Sequence, residues 1–419
     1  MRRLLLMIST VALALMAVIG GATTANAADE TIGGVIKTGD QGVPGVTLNV
    51  SDEEGFQDNA ITDDQGKWLV EVPGAGQYLV TLQTDTLPPG VELTNPDRTS
   101  ATVTVGKGQS KSVLFPTGEA RVSTETTLDR ALQLTVDGLI FGLTIALAAV
   151  GLSLIFGTTG LTNFSHGELV TFGALIAYFF NNLLGLPFIV AAAGAVLAGA
   201  AFGYLQDRFF WRWLRKRGTG LIAMLVVSIG LGIFLRYVYL FFFGGKTQQF
   251  ADYSGQAGLA FGPVDITPKA LIGAGVAIVF LVTTVLWLRL TRMGKASRAI
   301  ADNPALASAS GIDVNRVISI IWAAGAGLAA MSGIIYSLSN GITWLEGFQL
   351  LLLIFAGVTL GGLGTAVGAI VGSIIVGTMI QLSTLFIPSE LKNVGALAVL
   401  IVILMIRPQG ILGRSERVG

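Results

Sequence analysis

No cysteine occurs among the 419 residues, which excludes disulfides and thiolate metal sites. The single histidine, His166, cannot form a His-based metal or catalytic cluster by itself. Charge is scarce as well. Only 12% of residues are Asp, Glu, Lys or Arg, against about 25% in soluble globular chains. A chain that is also 52% hydrophobic reads as a membrane protein. Net charge is zero, but residues 28–130 hold 16 acids and 7 bases while residues 131–419 hold 10 acids and 17 bases. That split implies two domains in different surroundings. The basic excess belongs to membrane loops rather than to a nucleic-acid face.

The first 27 residues have the pattern of a signal peptide. Arg2 and Arg3 precede a short apolar core, and Ala25-Asn26-Ala27 forms an A-x-A cleavage site. An uncleaved first helix is the alternative, and either way the next segment is exported. Residues 28–120 then read as a small all-β sandwich. TIGGVIK, GVTLNV, KWLVEV, QYLVTLQ, ATVTV and KSVLF are strand-like, with turns at Asp63-Asp64-Gln65-Gly66 and Leu87-Pro88-Pro89-Gly90. The acids Asp52, Glu53, Glu54, Asp58, Asp63 and Asp64 form either a solvated surface or a calcium site.

After a linker at 121–133, residues 134–413 predict an all-α polytopic bundle of eight or nine spans, ending in a tail at 414–419. The runs are about 134–156, 166–183, 187–206, 220–243, 269–289, 316–338, 347–363, 367–386 and 391–406. Gly361-Gly362-Leu363-Gly364 leaves open whether 347–386 is two spans or a re-entrant element. With residue 130 outside, nine crossings place 13 basic residues in cytoplasmic segments and only Lys246, Lys269 and Lys392 outside. The positive-inside rule favours that orientation, with the C-terminus cytoplasmic. Small residues recur every fourth position, as in Gly364, Gly368 and Gly372, in Gly325, Ala329 and Gly333, and in Gly138 and Gly142. Gly361, Gly362, Gly364, Gly368 and Gly372 are expected to serve close helix packing.

Between two spans, residues 293–313 read MGKASRAIADNPALASASGID. Asn303 suits an N-cap, Pro304 the first helical position and Gly311 the C-terminal stop. The spacing predicts a cytoplasmic helix of at most two turns over Ala305–Ser310. Its tiny side chains let another protein approach its backbone. A coupling helix for an ATPase and an ordinary loop with a stray helical turn both fit this pattern.

Four ordered blocks carry a resemblance: GLSLIFGTTGLTNFSHGELVTFGAL, MGKASRAIADNPALASASGIDVNRVI, VTLGGLGTAVGAIVGSIIVG and RPQGILG. Together they resemble permeases of branched-chain amino acid importers of the ATP-binding-cassette type, and the related urea and short-chain amide permeases. The resemblance implies two permease subunits, identical or homologous, two cytoplasmic ATPases that use ATP, and an extracytoplasmic solute-binding protein. It also makes Arg298, Asp302, Asn303, Pro304, Ala305, Ala307, Ala309 and Gly311 the expected ATPase-coupling residues. The exported domain resembles carboxypeptidase-regulatory-like or transthyretin-like sandwiches, through GVIKTGDQGVPGVTLNVSD and TDDQGKW.

Gly245-Lys246-Thr247 ends like a P-loop, but that motif needs a glycine at 240, where Leu240 stands. No nucleophile–base–acid set, resident cofactor or metal is expected. FGTTGLTNFSHG at 156–167 interrupts two apolar runs with polar residues, as discontinuous transporter helices do. Asn163 and His166 are candidates for the translocation path. Ser165 and Glu168 read either as a capping box or as part of that path. Arg236 either snorkels beside Tyr237 and Tyr239 or faces a substrate carboxylate. Glu346 and Asn340 fit an outer loop or the mouth that faces the binding protein. Few acids lie within the runs, which argues against an ion-driven carrier. A passive channel for a small neutral solute and a sensor using its outer domain remain alternatives.

Overall fold

The computed structural model describes residues 30–38, 41–52, 55–74, 76–93, 99–105, 110–117, 126–250 and 258–387, and residues 394, 398, 401, 405, 410 and 411. The expected leader, most of the ninth apolar run and the tail at 414–419 lie outside the described residues. The chain divides into two compact units, residues 1–120 and 121–419.

The first unit has two principal sheets. One orders β6 (Lys67–Val72), β1 (Glu30–Val35) and β9 (Ser110–Ser112), with β1 antiparallel to β6 and parallel to β9. The other orders β5 (Gln57–Ile61), β4 (Thr47–Asp52), β7 (Gly76–Leu82) and β8 (Ser100–Val105). A short hairpin pairs β2 (Lys37–Thr38) with β3 (Gln41–Gly42). In β6 the alternation is complete. Trp68, Val70 and Val72 are buried, while Lys67, Leu69 and Glu71 are exposed. Inward residues of both sheets, among them Ile32, Leu48, Val50, Trp68 and Val80, share one core. Strand β5 was not anticipated, because only Ala60 in it is buried and no apolar alternation marks it.

Of the acid cluster read from the sequence, Glu53 and Glu54 lie outside the described residues, and Asp52 and Asp63 close turns. Asp63 Oδ1 accepts from the Gln65 and Lys67 amides, and Asp52 Oδ1 accepts from the Phe56 amide. Among the described residues no three His, Asp or Glu side chains gather as a metal site would require. Buried Thr62 ties two segments together. Its hydroxyl donates to Val43 O at 2.7 Å and accepts from the Val46 amide at 2.9 Å. Thr62→Val should therefore cost about 2–4 kcal/mol, because it orphans two buried backbone groups. Thermal unfolding of residues 30–117 checks this, and an unchanged midpoint would refute it.

The second unit is helical: α1 (Thr127–Thr159), α2 (His166–Tyr178), α3 (Phe188–Lys216), α4 (Leu221–Phe243), α5 (Pro268–Leu290), α6 (Arg292–Asp302), α7 (Pro304–Ala309), α8 (Val314–Asn340), α9 (Glu346–Gly361) and α10 (Ala366–Ser383). A hairpin of β10 (Leu259–Phe261) and β11 (Val264–Ile266) precedes α5. Six of these helices, α1, α3, α4, α5, α8 and α10, are long and apolar enough to cross a membrane. The expected runs at 166–183 and 347–363 are shorter as α-helices. Helix α2 passes into a π-helical turn at Phe179–Leu183. Helix α9 has 16 residues, about 24 Å at 1.5 Å per residue, against about 30 Å of hydrocarbon.

Helices α1 and α8 are the most deeply buried and form the centre of the unit. They cross where Gly151 meets Gly325, so closely that a Cβ on Gly151 would lie 2.5 Å from Gly325 O. Helix α10 packs on α1 through Gly138, Gly142 and Gly377 in the same way. Gly361-Gly362-Leu363-Gly364 is a tight reversal, with φ of +108° at Gly362 and +80° at Gly364. Gly361 lies against Gly368, and Gly357 against Gly372, so α9 and α10 form an antiparallel hairpin. Ile411, from RPQGILG, donates its amide to Leu360 O at 2.7 Å beside this turn.

Candidate functional site

Two features of the helical unit carry chemistry: a polar cluster where α2 and α9 begin, and the hairpin formed by α6 and α7.

Helix α2 starts inside the unit. His166 Nε2 lies 2.9 Å from Ala148 O on α1, although α1 continues to Thr159, about 16 Å further along. Residues 160–165 therefore fold back beside α1 before α2 begins. Gly160, at φ +68°, allows that reversal. Helix α9 starts against the same place. Gly347 abuts Gly167 so tightly that a Cβ on Gly347 would lie 1.8 Å from Gly167 O. The Gly347 amide, one of the unpaired donors of the first turn of α9, donates to Thr171 Oγ1 of α2 at 2.9 Å. Two helix N-termini, each with an acid in its first turn, thus meet in a buried interior. The positive ends of helix dipoles favour negative charge there.

Glu168 pairs with Arg236 of α4. Arg236 Nη2 and Nε donate to Glu168 Oε1 at 3.0 and 3.2 Å. The guanidinium also sits 3.9 Å from the centroid of the Phe348 ring of α9. Tyr239 donates to Glu168 O at 3.0 Å. Arg236 is thus engaged by Glu168, and its side chain is only 14% exposed. Ser165 precedes α2, but its hydroxyl makes no capping bond. It donates instead to Asn163 Oδ1 at 2.7 Å, and Glu168 is engaged by Arg236, so the expected capping box does not form. Phe164 donates its amide to Ser228 Oγ of α4 and packs on Phe355 of α9.

Glu346 is not in an exposed outer loop. It is buried as the first residue of α9, and Ser337 Oγ donates to its Oε2 at 2.7 Å. Asn340 is exposed at the end of α8. Four buried polar atoms here have no hydrogen-bond partner: Asn163 Nδ2, His166 Nδ1, Glu168 Oε2 and Glu346 Oε1. Asn163, Ser165, His166, Glu168 and Arg236 gather in this region, and Glu346, Phe348 and Tyr239 join them; of these three, Phe348 is not singled out by the sequence alone. A signal was present. His166-Gly167-Glu168 and Glu346-Gly347 both set an acid beside a glycine where a short apolar helix opens.

Further charge lies buried in the π-helical turn of α3 at Asp207–Trp211. Asp207 pairs with Arg215 at 2.7 Å and accepts from Ser319 Oγ of α8 at 2.6 Å. Trp211 stacks on Trp322 nearby. The scarcity of acids read from the sequence thus understated the buried charge.

Helix α7 has the expected form. Asn303 Oδ1 accepts from the Leu306 amide at 3.0 Å, Pro304 occupies the first position, and Gly311 has φ +87°. Arg298 donates to Leu288 O near the end of α5, so it ties α6 to α5. Asp302 ends α6, and Asn303 serves both as its C-cap and as the N-cap of α7. Ala307 does not face outward. It is 4% exposed and joins the core, while Leu306 is 65% exposed and Ala305 and Ala309 are also exposed.

Residues 134–405 match the family described as branched-chain amino acid transport system / permease component. The chain belongs to this permease family. The LivH high-affinity branched-chain amino acid permease of Salmonella typhimurium is 32% identical, over 68% of this chain and 96% of its own length. BraD of Pseudomonas aeruginosa is 31% identical over the same shares. The ribose import permease RbsC of Escherichia coli is 28% identical over 55% of this chain and 72% of its own. Among solved structures, PsaBC from Streptococcus pneumoniae in complex with Fab aligns over 65% of this chain and 92% of that one, at 16% identity and a TM-score of 0.37. With six membrane-capable helices among the described residues, the permease is a multi-pass membrane protein and a transport subunit. The family match does not extend into the β unit.

Proposed function

We propose that this permease moves branched-chain or closely related amino acids inward, driven by two separate ATPase subunits and fed by an extracytoplasmic binding protein. It pairs with a second permease subunit in the lipid bilayer and binds neither nucleic acid nor a cofactor of its own. The observation that carries the reading is α7, a six-residue helix capped at both ends that presents Leu306 outward. A small-sided knob with one apolar tip suits a groove on an ATPase. Ala305, Ala309 and Leu306 would make contact. Asn303, Pro304, Gly311, Arg298, Asp302 and Ala307 would hold the knob in place.

Orientation follows from charge. With the β unit outside and the C-terminus cytoplasmic, Arg208, Arg212, Arg215, Lys216 and Arg217 face the cytoplasm together with α6 and α7. Gly245-Lys246-Thr247 follows α4 in a loop and lacks the glycine a P-loop needs, so ATP is used by the partner subunits. Asn163, Ser165, His166, Glu168 and Arg236 would line or gate the path.

Reconstitution tests this. With ATPases, binding protein and ATP, vesicles should accumulate radiolabelled leucine at least about tenfold above its gradient. Equilibration without accumulation, at the same rate in the absence of ATP, would leave a passive channel as the better reading.

A further inference from the structure

Glu168 and Arg236 neutralise each other in the interior of the helical unit, yet the site retains unused polar atoms. One carboxylate oxygen takes both N–H groups of Arg236. The other, Oε2, has no partner, and the Glu168 side chain is 1% exposed. His166 Nδ1 and Asn163 Nδ2, on the same turn, are also buried and unpartnered. The guanidinium lies over the Phe348 ring, Phe348 is 47% exposed and the Arg236 side chain 14% exposed, so the cationic end of the pair lies close to the surface of the unit. The three charged or aromatic groups come from three helices, α2, α4 and α9. Relative movement of any of them would part the pair.

We propose that the Glu168–Arg236 pair is the seat for the zwitterionic head of the transported amino acid, each side chain standing in for the cargo while the path is empty. This rests on the proposed function, since it requires an amino acid as cargo. A guanidinium binds a carboxylate through two parallel N–H donors and keeps its charge. Glu168, released from Arg236 and with Oε2 free, offers acceptors for an ammonium group. Asn163 and His166 supply further polar atoms beside it. Opening the pair with no ligand leaves two uncompensated charges in a buried site, which is strongly unfavourable. Opening it around a zwitterion exchanges one internal pair for two intermolecular ones. A neutral or singly charged solute restores at most one. The seat thus selects for cargo carrying both charges at the moment the path opens, in addition to any choice made by a binding protein.

The test uses the assembled importer in proteoliposomes and reads leucine taken up per ATP hydrolysed. The variants are Glu168→Gln, Arg236→Gln and the double variant. For a seat, the double variant should fall at least tenfold in this ratio, as low as either single variant, because ATP is still spent but no cargo is held. For a mere tie between α2 and α4, removing both charges together leaves nothing uncompensated. A ratio within twofold of wild type in the double variant would therefore overturn the seat. Should the double variant fail to assemble, Arg236→Lys decides, since it keeps the charge but not the two-donor fork. The seat requires at least a threefold loss in the ratio, and an unchanged ratio refutes it. Failure of the wild-type assembly to take up leucine at all would instead count against the amino-acid reading itself.

Discussion

Replacing Ala309 by Trp should abolish most ATP-driven uptake, at least tenfold, while leaving the membrane unit folded. Ala309 is exposed at the end of α7, so an indole added there extends outward from the helix. It would occupy the space into which an ATPase groove must fit. Leu306→Asp should act similarly, because it puts a charge on the one large apolar side chain the knob offers. Ala307→Trp is expected to behave differently. Ala307 is buried among core residues, so the bulkier ring has to displace its own neighbours. Overpacking of this kind costs about 1–3 kcal/mol or more. Affinity capture of the ATPases, with size-exclusion profiles of the permease alone, separates the outcomes. Ala309→Trp and Leu306→Asp should lose the ATPase from a well-behaved permease, whereas Ala307→Trp should disturb the permease profile itself. Full ATPase recovery with both exposed variants would remove α7 from the interface.

Gly347→Ala should be among the most destabilising single-methyl substitutions in the chain. The new Cβ would lie 1.8 Å from Gly167 O and 2.6 Å from Thr171 Oγ1. The first is backbone of another helix and cannot rotate away, so α2 and α9 must separate at their starting turns. That movement also breaks the Gly347–Thr171 hydrogen bond and shifts Phe348 off Arg236. The cost should reach about 3 kcal/mol or more, at the upper end of overpacking, or roughly 10 °C in melting temperature. Gly275→Ala in α5 is the matched control, since nothing lies within 4 Å of its added methyl. It should be neutral or slightly stabilising, because alanine is the better helix former. Equal melting temperatures for the two variants in detergent would show that the crossing tolerates separation.

Much of this architecture was legible in the residues. Capping and turn chemistry act over three or four neighbours, so Asn303-Pro304 and Gly311 marked α7 without reference to the rest of the fold. Alternation along KWLVEV marked β6 for the same reason. Local reading missed an element that carries little pattern, as in β5, and for α2 and α9 it found the helices but took them as full spans. It also failed wherever burial depends on a distant partner. Ser165-x-x-Glu168 looked like a self-contained cap, but Arg236 of another helix claims the carboxylate and Asn163 claims the hydroxyl. Ala305, Ala307 and Ala309 are chemically alike, and only the docking of α7 on the bundle decides which of them is buried.

The sequence by itself determined that this chain enters a membrane, carries a β unit before its helices, and displays a small capped knob between two spans. Composition, run length and short-range hydrogen bonding are properties of contiguous residues, so they can be read in one dimension. The tertiary structure alone decided that two short helices begin face to face in the interior, glycine against glycine, and that Glu168, Arg236 and Phe348 meet there. Those contacts join residues 68 and 180 positions apart in the chain. Their existence depends on how closely backbones approach in three dimensions, which no local pattern encodes.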